Sequence, residues 1–519
     1  MSSNLESPRQ FSRPRGGIKT VLDLTDRDSQ DNFYFPPDSS TSWFFRGSTA
    51  ESLKHTQFMT TNFQEITQRG PAEWGQKMTF ELNQLPTGDL LTNTVLQIQL
   101  GHWLPPQIIS GLLTGTIIQQ INSTTNPLTF PYTYIESIGT SIIDYAEFEV
   151  GDQTLERISG EYIRSQLNIV NNQNQQFGLA TDAFGVYPFP YPTVGDQPQI
   201  SALSPQNPWT TENGIILCPL AFFFTRNLKS AFPLSSVSPN SVRIHIKLRP
   251  FNECVRSSQG WRATCDDTPL GTQIQIMNTT TQIISYYKIP QIVPPFRDCR
   301  LLMFTTLTDG KIRQAYLRSP FEQMSTFLQS FRFTEPQKYV VSKTTLNDQV
   351  EIQLPLEINH PIKEIFWFFR RNATLINNEW SNFKPNIETD SYQFYEGWLV
   401  SATLQINGIE VVSGDGDFFR YQLARRHNGG IASWASNMYG YVFSRIPEEF
   451  QPSGTVNMSR ANSIVLNLTV RVPQVPPVYQ EIFKPWGADI ISGWEVGVFS
   501  HGLNWLRFEN GICQKLFNS

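Results

Sequence analysis

The chain has 519 residues, too many for one ordinary core, so two or three domains are expected. Charged residues make up 16% of it, below the roughly 25% usual in soluble chains, while aromatics reach 13%, which suits a surface partly covered by partners. A net charge of -5 and a pI near 5.8 exclude a global electrostatic pull toward nucleic acid or anionic membrane, and with it a basic packaging role.

Residues 1–42 form a polar arm in which Arg9, Arg13, Arg15 and Lys19 precede the acidic stretch DLTDRDSQD, with little core of its own. The first residues lack an apolar signal-peptide core, so synthesis in a reducing compartment is expected. From Trp43 onward, short segments rich in Val, Ile, Phe and Thr are broken by Gly, Pro and Asn. That is an all-β pattern. KMTFELNQL (77–85), TVLQIQL (94–100), VRIHIKLR (242–249), QVEIQLPL (349–356) and IVLNLTVRV (464–472) alternate apolar and polar residues, which puts one face of each strand on a core.

Between these strands, FPYPTVGDQPQISALSPQNPWT (189–210) reads as a long loop, the kind of segment that carries recognition or assembly contacts. GIILCPLAFFFT (214–225), 12 residues with a proline, falls short of the roughly 18–20 a membrane helix needs and reads as buried strand. GKIRQAYLRSPFEQMSTFLQ (310–329) is the best helical candidate, as one or two short helices interrupted at Pro320. In PEEFQPSGTVNMSRANSIVLNLTVR (447–471), Pro447 ends a strand, Pro452, Ser453 and Gly454 make a turn, and the chain returns as a strand. Adjacent carboxylates in extended chain point opposite ways, so Glu448 and Glu449 read as a corner rather than an acid/base pair.

The chain is also similar to itself. YAEFEVGDQTLERISGEYIR (145–164) lies over SATLQINGIEVVSGDGDFFR (401–420) at an offset of 256, placing Gly160 on Gly416 and Arg164 on Arg420. PNSVRIHIKLR (239–249) lies over ANSIVLNLTVR (461–471) at an offset of 222, and FELNQLPTGDLLTNTVLQIQL (80–100) more weakly over VEIQLPLEINHPIKEIFWFFR (350–370) at 270. Collinear matches of this length describe a duplicated domain, hence two similar antiparallel sandwiches joined near 252–270. The drop from 256 to 222 assigns the first copy 34 more loop residues in between.

Motifs for chemistry are sparse. The six histidines (His55, His102, His245, His360, His427, His501) show no metal-ligand spacing, and no phosphate-cradling loop or esterase elbow is present. SGDGDFF (413–419) lacks the ligand spacing of a calcium loop and reads as a hairpin turn. The sequence therefore predicts no catalytic, cofactor or metal residues. The five cysteines contain no CxxC pair; Cys254 and Cys265 flank one loop and could pair on oxidation. Of five N-x-[ST] sequons, Asn122 and Asn278 stand in Thr/Ser-rich, loop-like sequence and are the candidate glycan acceptors, whereas Asn467 lies in a strand.

Three stretches carry a resemblance: HPIKEIFWFFR with NEWSNF (360–383), YVFSRIPEEFQPSGTVNMSR (441–460) and PLAFFFTRN (219–227). They resemble the major capsid proteins of large eukaryotic DNA viruses, the nucleocytoplasmic group of iridovirus, phycodnavirus and marseillevirus. Phe450 stands where that family often has His, and Val456 where Cys is common; neither change touches the turn chemistry. The resemblance spans about 43–480 and implies an all-β fold, a double jelly roll of two consecutive eight-stranded antiparallel sandwiches with a few short helices in loops. Its domains are an arm (1–42), jelly roll 1 (43–252), a linker (253–270), and jelly roll 2 with a C-terminal extension (271–519).

The implied function is structural, not enzymatic and without cofactors: homotrimeric, pseudo-hexagonal capsomers of an icosahedral shell, assembled in host cytoplasm and located in the virion capsid. Implied partners are further copies of the chain, neighbouring capsomers, minor capsid and penton proteins, and internal membrane-associated proteins; Arg9, Arg13, Arg15 and Lys19 read either as part of a solvated tail or as contacts along the inner capsid face to minor proteins or an internal membrane. Sequence-specific nucleic-acid binding is not implied. The alternatives are a carbohydrate-binding or glycan-processing jelly-roll protein and a transient assembly scaffold.

Overall fold

The computed structural model describes residues 59–82, 88–100, 117–120, 132–135, 137–171, 215–237, 241–257, 273–278, 284–288, 296–308, 310–318, 320–344, 349–376, 378–383, 397–427, 437–471 and 493–517. Among them, the first half contains β1 (Met59–Thr67), β2 (Lys77–Glu81), β3 (Leu90–Gln99), β4 (Ile117–Gln120), β5 (Tyr132–Tyr134), β6 (Ile143–Val150), β7 (Gln153–Ser159), β8 (Ile215–Pro219), β9 (Phe232–Pro233), β10 (Val242–Leu248), β11 (Val255–Ser257), β12 (Gln273–Asn278), β13 (Ile284–Lys288) and β14 (Asp298–Thr308). One sheet has the order β1-β14-β3-β8 with β9 also on β3, and it faces a second, β2-β10-β6-β7; β11-β5 and β13-β12-β4 are small separate sheets.

The second half contains β15 (Phe321–Phe333), β16 (Val340–Thr344), β17 (Gln349–Pro355), β18 (Pro361–Arg371), β19 (Leu399–Ile406), β20 (Ile409–Asp415), β21 (Met438–Val442), β22 (Val456–Asn457), β23 (Ile464–Arg471), β24 (Trp494–Glu509) and β25 (Ile512–Lys515). Its sheets run β15-β24-β18-β21, with β22 and β25 at the side, and β16-β17-β23-β19-β20. Strict alternation in β10 and β23 buries every second side chain between the layers, as the sequence pattern requires.

The two halves share more than strand order. Ile244 faces Phe148 and Ile246 faces Ala146 in one; Leu466 faces Leu404 and Leu468 faces Ala402 in the other, so the offsets of 222 and 256 hold at the level of paired residues. Both copies also interrupt their ladders at the same places. The β6–β7 irregularity skips Leu155 and the β19–β20 one skips Val411; β10–β6 skips Asp144 where β23–β19 skips Val400; β14–β3 skips Thr92 where β24–β18 skips Lys363.

The glycine correspondence has a steric cause. Gly160 and Gly416 open helices Gly160–Val170 and Gly416–Arg426, where a Cβ would stand 2.3 Å from the Thr140 carbonyl oxygen and 2.4 Å from that of Leu399. The cap before each glycine also corresponds: Ser159 accepts the N–H of Tyr162, and Asp415 that of Phe418.

Several expectations need correction. The third self-match finds the right strands in the wrong register: Met78 and Ile352 both pair with equivalent residues of β10 and β23, an offset of 274, and β3 corresponds to β18 at 271. An ungapped comparison cannot absorb the shorter loop of the second copy. The first sandwich also does not end at 252 with a linker at 253–270. β14 inserts between β1 and β3 and buries Cys299, Leu301 and Met303, so the crossing to the second half falls at 309–320. Alternation marks a strand without saying which sheet it joins. Within 310–329 only Gly310–Arg318 is helical; after Pro320 the chain is β15. The strand in 214–225 stops at Pro219, and Phe222, Phe223 and Phe224 lie buried in a turn.

Gly160→Ala and Gly416→Ala are each expected to lower the urea midpoint, by about 1–3 kcal/mol in unfolding free energy, because the added methyl meets fixed backbone.

Candidate functional site: the buried seam between the sandwiches

The outer face of the β15-β24-β18-β21 sheet packs on the first sandwich, and one apolar cluster runs through both. Phe223 meets Phe327 at 4.8 Å between ring centroids, Phe232 meets Phe508 at 5.6 Å, and Tyr162 meets Phe499 at 5.3 Å. Set into this cluster are charged groups contributed by both halves.

Glu161 stands in the first turn of its helix, a favourable position for an anion. Its carboxylate lies 3.0 Å from Arg249, 3.3 Å from Arg370 and 3.4 Å from Arg332, the last two from the second half. Burial pushes the carboxyl up, but the three guanidiniums outweigh it and hold it at about 2. Arg370 in turn donates Nε–H to Glu495 at 2.6 Å and Nη1–H to the Trp380 carbonyl at 2.7 Å. Arg249 stacks 3.7 Å over the Trp380 ring, whose Nε1–H donates to the Glu253 carbonyl.

A second strand of the network starts at Glu156 on β7. Its carboxylate accepts Arg226 Nη2–H at 2.6 Å, the N–H of Phe223 at 2.6 Å and, across the seam, the N–H of Leu328 at 2.9 Å; Arg226 donates to the Thr326 carbonyl at 2.7 Å.

Beside it runs a chain of acids and imidazoles. His427 lies between two carboxylates, Nε2 2.6 Å from Glu364 and Nδ1 3.1 Å from Glu448, so both ring nitrogens carry hydrogens. Burial lowers its pKa, yet Glu364 and then Glu448 raise it to about 9. His501 donates Nδ1–H to Glu364 at 2.6 Å and accepts the Tyr162 hydroxyl hydrogen at Nε2, 2.7 Å away. Burial and nearby Arg226 keep this imidazole neutral, with its value pushed down to about 4. Glu364 stays ionised: burial disfavours its charge, but the two imidazoles more than compensate.

Lys363, the bulged residue of β18, donates to the carbonyls of Pro447 and Glu449, and Asn227 of the first half donates to that of Glu448. The 447–454 corner is thereby fixed to both halves, with Gly454 at φ +139°. A cavity of about 300 Å³ opens here, lined among others by Arg226, Lys363, Glu364, His427, Glu448 and His501. Among the described residues no group of three or more His, Cys, Asp and Glu side chains is arranged to hold a metal ion.

Sequence reasoning singled out none of these groups as a site. The available signal was Lys363, Glu364, Arg370 and Arg371 inside PIKEIFWFFRR, charges in a strand otherwise apolar on both faces. Arg9, Arg13, Arg15, Lys19, Asn122 and Cys265 lie outside the described residues. Asn278 ends β12, paired with Ile117, where loop-like sequence suggested an open loop. Cys254 is buried, and burial raises its thiol pKa well above the ordinary value. Asn467 lies in β23 as expected.

Two antiparallel sandwiches of shared strand order, fused face to edge by a buried ionic seam, define a double jelly-roll protein. Residues 48–287 match the family described as major capsid protein N-terminus, and residues 329–513 that described as large eukaryotic DNA virus major capsid protein. The chain belongs to this family of major capsid proteins of large eukaryotic DNA viruses. It is 21% identical to capsid protein 1 of Acanthamoeba polyphaga mimivirus, over 60% of this chain and 43% of that one. It is 22% identical to the major capsid protein of Chrysochromulina ericina virus, over 60% and 52%. The chain thus spans about half the length of these curated relatives. PBCV-1 VP54, in a crystal structure fitted into a reconstruction of the virophage Sputnik, shares the fold with a TM-score of 0.59 at 16% identity, over 89% of this chain and 98% of that one. These curated relatives are named as capsid proteins.

His427 lies above its unfolded value, so its contribution is complete below about pH 6.5 and is lost as the pH rises through about 9. The melting-temperature advantage of the wild type over His427→Gln should be largest near pH 6.5 and shrink across that window. His501, with its folded value depressed to about 4, acts in the opposite window, weakening the fold as pH falls below about 6.5. Glu161→Gln is expected to lose about 3–5 kcal/mol, since it strands buried arginines. Asp417→Asn, at the corresponding exposed position of the second copy, should leave the unfolding midpoint nearly unchanged.

Proposed function

We propose that the chain is the shell-building subunit of a virion capsid, and that three copies form a pseudo-hexagonal capsomer from six similar sandwiches. The observation that carries this reading is the shared pairing register of the two halves, down to three corresponding bulges, on one body made rigid by the seam. Two equivalent blocks per chain let a threefold ring present six near-equal sides, the shape that tiles a surface. The sparse charge of the chain suits broad contacts between neighbouring tiles.

On this reading the partners are neighbouring capsomers, minor capsid and penton proteins, and proteins of an internal membrane. The arm residues Arg9, Arg13, Arg15 and Lys19 contact the inner side, and Asn122 and Asn278 are the positions for attached glycans. Assembly takes place in the host cytoplasm, without sequence-specific contacts to nucleic acid.

Light scattering on the purified chain should give a species near three times 59.3 kDa. A monomer at every concentration, with assembly factors supplied, overturns the capsomer.

A further inference from the structure

The duplication makes each surface of one sandwich comparable with its counterpart, and one pair differs sharply. In the first copy, β7 and the helix Gly160–Val170 are pressed into the seam: Leu155 is 1% exposed and Ser165 0%. At the offset of 256, the same positions of the second copy are Val411 at 44% and Tyr421 at 55%, and Ile409 on the same strand is 71% exposed. The second copy thus carries, uncovered, the apolar face that the first copy uses for docking.

The receiving face has a counterpart too. On the second sandwich it is built by Leu328, Phe366, Phe499 and His501, since Leu328 binds Glu156 and the other three surround Tyr162. Strand register carries these positions to Phe63, Val95, Leu302 and Phe304 on the first sandwich. Phe63 is 48% exposed and rests on Phe304 at 5.3 Å between ring centroids.

We propose that the face of β20 and the helix Gly416–Arg426 docks on the Phe63–Phe304 face of the next copy, repeating between chains the contact made within each chain. The proposal rests on the capsomer reading and names the surfaces that build it. Donor and acceptor faces lie on different sandwiches of each chain, so the contact is heterologous and can propagate into a closed ring. The ionic part of the seam is not repeated: Arg370 corresponds to Gln99, and Asp417, in place of Glu161, is exposed. The contact between chains is therefore mainly apolar and weaker than the one within the chain.

The test uses the full-length chain with Val411→Lys, Phe63→Glu and the double variant, following mass against concentration by light scattering and folding by thermal melting. Each single change is expected to shift the trimer-to-monomer midpoint by at least about tenfold. Melting of the monomer should be unchanged, because both residues are exposed. The double variant, which sets Lys against Glu in every contact, should recover most of the loss. If the wild type is trimeric and the single variants match it, these faces are not the interface, while the capsomer reading stands. Singles that weaken the trimer without recovery in the double overturn the pairing of Val411 with Phe63. A wild type that never leaves the monomer overturns the capsomer reading, and this inference with it.

Discussion

Glu161 gives up its hydration between Arg249 of its own sandwich and Arg332 and Arg370 of the other. A lone carboxylate in that position would cost several kcal/mol, and each arginine removed would leave part of that cost uncompensated. The arrangement therefore tolerates only one placement of the two sandwiches. Apolar packing of Phe223 on Phe327 and Phe232 on Phe508 supplies the attraction, which is large but poorly directional. The charges supply the direction.

The imidazole chain works by the same logic with fewer charges. One carboxylate, Glu364, is shared by two histidines, and only one of them is cationic. His427 takes the proton because Glu448 flanks its other side; His501 stays neutral because burial and nearby Arg226 disfavour its charge, and its free nitrogen accepts from Tyr162. A seam built in this way is stiff, since no member can move without stranding a partner in a medium that does not solvate it.

Duplication gave the chain two copies of one block, and their differences follow from where each block ends up. Positions inside the block keep their chemistry: Gly160 and Gly416 both lie against backbone, and Phe148 and Leu404 both fill a core. Positions on the docking face diverge, as Glu161 does from Asp417 and Ser165 from Tyr421, because one copy buries that face within the chain and the other does not.

Much of this was legible in the sequence. Period-two alternation in VRIHIKLR and IVLNLTVRV reports strands because side chains of a strand point to opposite faces whatever the rest of the chain does. The duplication was legible through its glycines and its alternating apolar residues, since both obey local steric rules. The sheet to which Asp298–Thr308 belongs was not, nor was the end of the first sandwich, because strand pairing joins residues about 200 positions or more apart. The seam was hidden for the same reason. His427, His501 and Glu364 look like scattered residues in the sequence, and no spacing rule connects them. Local geometry, fixed by the sequence alone, set the strands, the caps and the repeat; which distant charges share one dry space was decided only when the two sandwiches closed on each other.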